Sequence, residues 1–161
     1  MEQTSTTPLP NRTPTLARLC VFSFINQGLM FPCYLIGIPL SLYLSRMDAD
    51  TYQELVQGIY SKLFQGEQLE LMIRNADMLR IHGAALMTVL AARTLARFIG
   101  TLRMWNLKAD GFHIYTTAQL LGVFLPMLVA GTAMFSVLGL FIVLGWCYLY
   151  WAQMRLLSRV V

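Results

Sequence analysis

Residues 81–102 read IHGAALMTVLAARTLARFIGTL. The stretch is apolar and unbroken by proline, and its only charged side chains are Arg93 and Arg97. A helix needs about 20 residues to cross a hydrocarbon core of ~30 Å, and this segment has that length. If it spans a bilayer, the chain is a membrane protein and the two guanidinium groups lie at a depth where charge is costly.

Composition supports the spanning reading. The 161 residues are 57% hydrophobic and 12% charged, and the mean hydropathy is +0.56. Soluble domains carry roughly 45–50% apolar and about 25% charged residues. Such a chain has too little polar surface to cover a water-facing sphere, so a polytopic membrane protein is predicted. The formal net charge is only +4, and no nucleic-acid partner is expected.

Three further apolar runs flank the first. Residues 112–129 carry Pro126 near their end, and residues 134–152 follow a turn at Gly131-Thr132. Toward the N-terminus, residues 19–44 form a run too long for the apolar core of a signal peptide, with no A-x-A pattern after it. Pro32 and Pro39 predict kinks in that helix. The expected fold is all-α, with four transmembrane helices and a short amphipathic helical insert between the first two. Residues 1–15 are expected to be a flexible cytoplasmic tail, 16–155 the bundle, and 156–161 a cytoplasmic end. Asn11-Arg12-Thr13 matches a glycosylation sequon, on the side not expected to be glycosylated.

Residues 46–78 are the one substantial polar segment. Within it Tyr52, Leu55, Val56, Ile59, Tyr60, Leu63 and Phe64 recur at helical spacing and define one apolar stripe. Asp50 with Gln53 resembles a capping box, and Gly66 suits the helix end. Leu69, Met72, Ile73 and Ala76 make a second set. The pattern predicts residues 51–65 as helix within a helical hairpin lying on the membrane surface or over the bundle.

Four spans place the N-terminus, the 103–111 loop and the C-terminus on one side, with Arg12, Arg18, Arg103, Lys108, Arg155 and Arg159. The other side holds Arg46, Lys62, Arg74 and Arg80. The basic bias predicts both termini in the cytoplasm. Arg97 then lies toward the cytoplasmic end of its span, where it is expected to snorkel, while Arg93 sits deeper. At 100° per residue Arg93, Arg97, Gly100 and Thr101 share a helix face, with His82 close to it. A central arginine costs roughly 2.5–3.5 kcal/mol on insertion scales. No Asp or Glu falls inside a predicted span, so an intramembrane ion pair within the chain is not expected. The acceptors on offer are the amides of Asn26, Gln27 and Gln119, carbonyls freed near a proline, a lipid phosphate, or a partner subunit. These residues, Arg93, Arg97, His82, Gln119, Asn26 and Gln27, are the candidate partner or lipid contacts.

Other chemistry is weakly supported. A proton-coupled carrier usually needs an acid within the membrane. His82 and His113 fall near opposite ends of their spans, against a shared haem, and no HExxH or GxSxG occurs. Cys20, Cys33 and Cys147 lie in apolar runs without CxxC spacing and read as small hydrophobes. No catalytic residue, metal site or cofactor is expected. Gly131, Ala133, Gly139 and Gly145 read as helix-packing residues. Trp105, Phe112, His113, Tyr115, Trp146, Tyr148 and Trp151 read as interfacial anchors, and Gly111 as the residue that allows a tight turn after Asp110.

Pro14-Thr15-Leu16-Ala17-Arg18-Leu19-Cys20-Val21-Phe22-Ser23-Phe24-Ile25 and Leu102-Arg103-Met104-Trp105-Asn106-Leu107-Lys108, the latter followed by Gly111-Phe112-His113-Ile114-Tyr115, are two specific motifs. Together they resemble a group of small four-span inner-membrane proteins of Bacteroidetes-type bacteria. That resemblance implies a basic tail, a span, a helical polar insert and three more spans in a bacterial cytoplasmic membrane. It supplies no catalytic residue, and Arg93 and Arg97 are not part of its pattern. Three function classes are carried forward: a non-catalytic scaffold or accessory subunit of a larger envelope complex; a small transporter, channel or lipid-binding protein using Arg93 and Arg97; and a redox or quinone-associated subunit using the aromatic end of the fourth span. Membrane lipids, other membrane subunits or further copies of the chain are the expected partners.

Overall fold

The computed structural model describes residues 13–131 and 135–157. Five helices follow one another: α1 (Pro14–Arg46), α2 (Ala49–Tyr60), α3 (Glu67–Trp105), α4 (Asp110–Ala130) and α5 (Val137–Leu157). Among the described residues α1, α3, α4 and α5 are long and apolar enough to cross a membrane. The fold is an all-α bundle of four such helices, with α2 as the insert between the first and second. Residues 1–12, with Asn11 and Arg12 of the sequon, and residues 132–134 and 158–161 lie outside the described residues.

α1 starts within the expected tail because Thr13-Pro14 is a start signal. The Thr13 hydroxyl accepts from the Leu16 N–H at 3.3 Å, and Pro14 occupies the first helical position, where its missing N–H costs nothing. The helix continues through Pro32 and Pro39, so the prolines remove backbone donors without ending it.

The insert departs from the expected hairpin. Its second half belongs to α3, which runs for 39 residues, about 58 Å at ~1.5 Å per residue. Arg74, Asp77 and Arg80 interrupt the apolar run, but no glycine or proline interrupts the helix between Gly66 and Gly83. Charge ended the span without ending the helix. Gly66, with φ +61°, starts α3 and does not end α2, which stops at Tyr60. Asp48 is the N-cap residue of α2, so Asp50 lies in the first turn and the expected capping box is displaced. The apolar stripe also divides. Tyr52 and Val56 are buried against Ala76 of α3, with Leu44, Met47, Tyr60 and Ile73 around them. Leu55, Ile59 and Leu63 are exposed.

α3 is the hub, with α1 on one flank and α4 on the other; α5 packs on α4 and touches α1. All four long helices meet at one end, here called the elbow end. There Leu16, Cys20, Met104, Tyr115 and Tyr150 have no accessible surface. The elbow itself turns at Leu107, a non-glycine residue with φ +59°. It is held by the Lys108 N–H donating to the Arg103 carbonyl at 2.9 Å and by packing of Leu107 on the core. Gly111 is therefore not the turn residue. It lies in the first turn of α4, where an added Cβ would stand 2.6 Å from the Met104 nitrogen. Gly100 is equally tight, with the Tyr115 nitrogen 2.7 Å from an added Cβ. Helices α3 and α4 thus touch backbone to backbone. The glycines expected to pack helices do so less: Gly131 ends α4 at φ +88°, Gly145 faces open space, and Gly139 meets only Ser136.

Candidate functional site

Helix α3 carries its polar side chains down the middle of the bundle, divided between its two neighbours. Toward α4, Arg93 Nη2 donates to Gln119 Oε1 at 2.6 Å. Gln119, itself buried, donates from Nε2 to the Tyr115 hydroxyl at 3.0 Å. The guanidinium carbon of Arg97 lies 5.5 Å from the Tyr115 ring centre. Toward α1, Gln27 Nε2 donates to Thr101 Oγ1 at 3.2 Å, and Thr101 donates to the Arg97 carbonyl at 2.9 Å. The predicted single polar face is therefore two: Gly100 and the arginines face α4, while Thr101 faces α1.

Gly122 makes room for Arg93. A Cβ added there would overlap Nε, Cδ and Cζ of the arginine. Gln119 stands one helical turn earlier on the same face, so a notch and an acceptor come together on α4. Pro126, four residues after Gly122, has no N–H to give the Gly122 carbonyl.

The cluster continues into the elbow core. The Tyr115 and Tyr150 rings pack at 4.7 Å between centroids. The Tyr150 hydroxyl donates to the Leu19 carbonyl at 2.9 Å and pairs with Ser23 Oγ at 2.7 Å. Tyr150 has one hydroxyl hydrogen, so Ser23 is the donor in the second contact. A connected path runs from Arg93 through Gln119, Tyr115 and Tyr150 to Ser23.

Several candidate residues fall elsewhere. Arg97 is partly buried and lies over the Tyr115 ring, and its Nε is buried without a partner, as is Arg93 Nε. Asn26 and His82 are partly buried and take no part in these hydrogen bonds. His82 lies about 16 Å before Arg93 along α3 by helix rise. The anchors also divide. Tyr115 is fully buried core. Trp105 packs edge-on against Phe24 at 6.0 Å, and Trp146 stacks on Phe22 at 5.5 Å. Phe112 leans on the core. His113, Tyr148 and Trp151 are exposed, with Arg155 over the Trp151 ring at 5.2 Å.

Sequence reasoning missed Gly122, Ser23 and the burial of Tyr150. The Gln119-to-Gly122 spacing was a usable signal for the first, since a small residue one turn from an amide marks where a long side chain can enter. The other two depend on α5 meeting α1, which no local pattern reports.

The cluster presents hydrogen-bond donors and two positive charges. No carboxylate lies among the described residues of the predicted spans, and no group of three His, Cys, Asp or Glu side chains among the described residues is placed to hold a metal ion. Comparison with protein-family models, with curated proteins and with solved structures finds no match to this chain.

Proposed function

We propose that this chain is a non-catalytic integral membrane protein, a scaffold or accessory subunit of a larger envelope complex. One observation carries the reading: Arg93 and Arg97 lie inside the bundle with buried, unpaired Nε groups and no carboxylate within the four spans. Gln119 gives Arg93 a dipole but no counter-charge. Two cations at that depth are stabilised most by negative charge from outside the chain. A partner helix carrying an acid would supply it. An anionic lipid phosphate would serve the same chemistry, and this is the alternative reading, a lipid- or anion-binding protein. Bacterial cytoplasmic membrane location, with the elbow end inside, rests on the basic bias and the family resemblance.

Native-membrane purification of the wild type beside Arg93→Gln and Arg97→Gln tests the proposal. A stoichiometric partner lost in either variant is the expected result. Retention of only anionic lipid, lost in the variants, would favour the alternative. Unchanged composition in both variants would overturn both readings.

A further inference from the structure

α3 is flanked by two notches of the same sequence form. Gly122-Val123-Phe124-Leu125-Pro126 on α4 and Gly28-Leu29-Met30-Phe31-Pro32 on α1 each place a glycine four residues before an intrahelical proline. In each, the proline has no N–H to give the glycine carbonyl. A glutamine accompanies each, Gln119 on α4 and Gln27 on α1. On the α4 side the notch takes a donor from the chain itself, the Arg93 guanidinium. On the α1 side nothing lies within 4 Å of a Cβ added at Gly28, and a cleft of about 210 Å³ opens between α1 and α3.

The cleft is lined by Gln27, Gly28, Phe31 and Pro32 of α1 and by Thr94, Leu95 and Phe98 of α3. None of these is charged. Its polar groups are acceptors. Thr94 already donates its hydroxyl hydrogen to the Leu90 carbonyl at 2.8 Å. Thr101 donates to the Arg97 carbonyl, so it accepts from Gln27, which fixes the amide with Nε2 toward Thr101. Gln27 Oε1 is then buried with no partner, on a residue only 1% exposed. The Gly28 carbonyl lacks its helical donor. Acceptors left unmatched at membrane depth are strongly unfavourable, because no water is there to satisfy them.

We infer that this α1–α3 cleft binds a neutral, lipid-soluble molecule that carries a hydroxyl or N–H donor on an apolar body. The donor satisfies Gln27 Oε1 or the Gly28 carbonyl, and the body packs on Phe31 and Phe98. Leu95 and Phe98 are 48% and 40% exposed, so the cleft opens sideways to the acyl chains and admits a longer tail. The volume fits one ring or the head of a chain, since a cavity of about 150 Å³ holds a benzene. The inference uses none of the charged groups that carry the proposed function, so each can fail alone.

The test is competition for a photoreactive alkanol bound to the purified wild-type protein. 1-Nonanol and its isomer methyl octyl ether have nearly the same apolar body, but only the alcohol donates. Label should concentrate in peptides containing residues 27–32 and 94–98. The alcohol should compete about tenfold better than the ether, the worth of one hydrogen bond. Leu95→Trp, which fills the mouth and leaves the Gln27–Thr101 bond alone, should lower labelling there. Gln27→Leu should narrow the alcohol–ether difference; should that variant fail to fold, the wild-type competition and Leu95→Trp decide. Equal competition by the two isomers, label spread evenly over lipid-facing helices, or labelling indifferent to Leu95→Trp would overturn the inference.

Discussion

The two ends of the bundle are held by different means. At the elbow end four helices converge, and hydrogen bonds cross between distant parts of the chain: Thr13 to Gln153, Ser23 to Tyr150, Gln27 to Thr101. At the insert end contacts are pairwise. Gly37 meets Met87, Gly83 meets Ser41, and α2 lies on α3 through Tyr52 and Val56. The first half of α5 there is largely exposed, as at Leu138 and Phe141. Both ends have similar apolar composition, so hydrophobicity does not explain the difference. Small residues and matched polar pairs do, because they let backbones approach and fix which surfaces meet.

The sharpest way to break the contrast is at the elbow. Gly111→Leu puts a side chain against the α3 backbone, where no flexible atom can move aside. We expect a loss of about 3 kcal/mol, read as a large fall in melting temperature in detergent. Gly145→Leu faces open space and should leave the melt almost unchanged. Comparable losses for both would show that the backbone contact is not what closes this end.

A second effect is coupled. Gly122→Ala should displace Arg93 from its notch, and Arg93→Leu should strand Gln119 Oε1, each at about 1–3 kcal/mol. The double variant should cost less than the sum, since leucine can yield to the new methyl where the guanidinium cannot. Strict additivity in thermal melts would separate glycine from arginine. Arg97→Leu should be milder than Arg93→Leu, because it removes a cation–π contact and strands no acceptor.

Next in size is Tyr150→Phe. It keeps the ring stack and removes both hydroxyl contacts, with an expected loss of about 1–2 kcal/mol. Loosening should be confined to α1 and α5 at the elbow end, seen as faster amide exchange there and unchanged exchange around Ala76.

The smallest effect belongs to the insert end. The Tyr52 hydroxyl donates to the Ala76 carbonyl at 2.7 Å. Burial raises its pKa above the ordinary value, helped by Asp77 and Tyr60 and opposed by Arg80. The folded state therefore favours the neutral phenol. Its contribution is fully present below about pH 10, the unfolded value, and is lost as pH rises through the raised folded value. Proteolysis at exposed Lys62 should accelerate over that range in the wild type. Tyr52→Phe should be about 1 kcal/mol weaker at neutral pH and lack this acceleration.

Much of this was legible in the sequence, for identifiable reasons. Spans were readable because apolar runs of sufficient length are rare outside membranes. Gln119 could be named as an acceptor for Arg93 because so few polar side chains enter the spans. The continuity of α3 was hidden because hydropathy reports the bilayer and not the helix, which only glycine, proline or a cap ends. Tyr115 looked like an interfacial anchor because an amphipathic ring near a span end suits either a headgroup or a buried core. The split of the α2 stripe into a buried Val56 and an exposed Ile59 depends on the angle at which α2 meets α3, which periodicity leaves free.

The ties between the first and last spanning helices also constrain biogenesis. The Ser23 hydroxyl and the Leu19 carbonyl each meet the Tyr150 hydroxyl, and the Thr13 hydroxyl donates to Gln153. During synthesis α1, α3 and α4 can assemble as each is released, since α3 packs on both of the others. The elbow end stays unsealed until α5 is in place, because Tyr150, which meets the Ser23 hydroxyl, is missing until then. Arrival of the last helix is therefore the closing event of assembly, and a nascent chain halted before Tyr150 displays a polar seam that the finished protein hides.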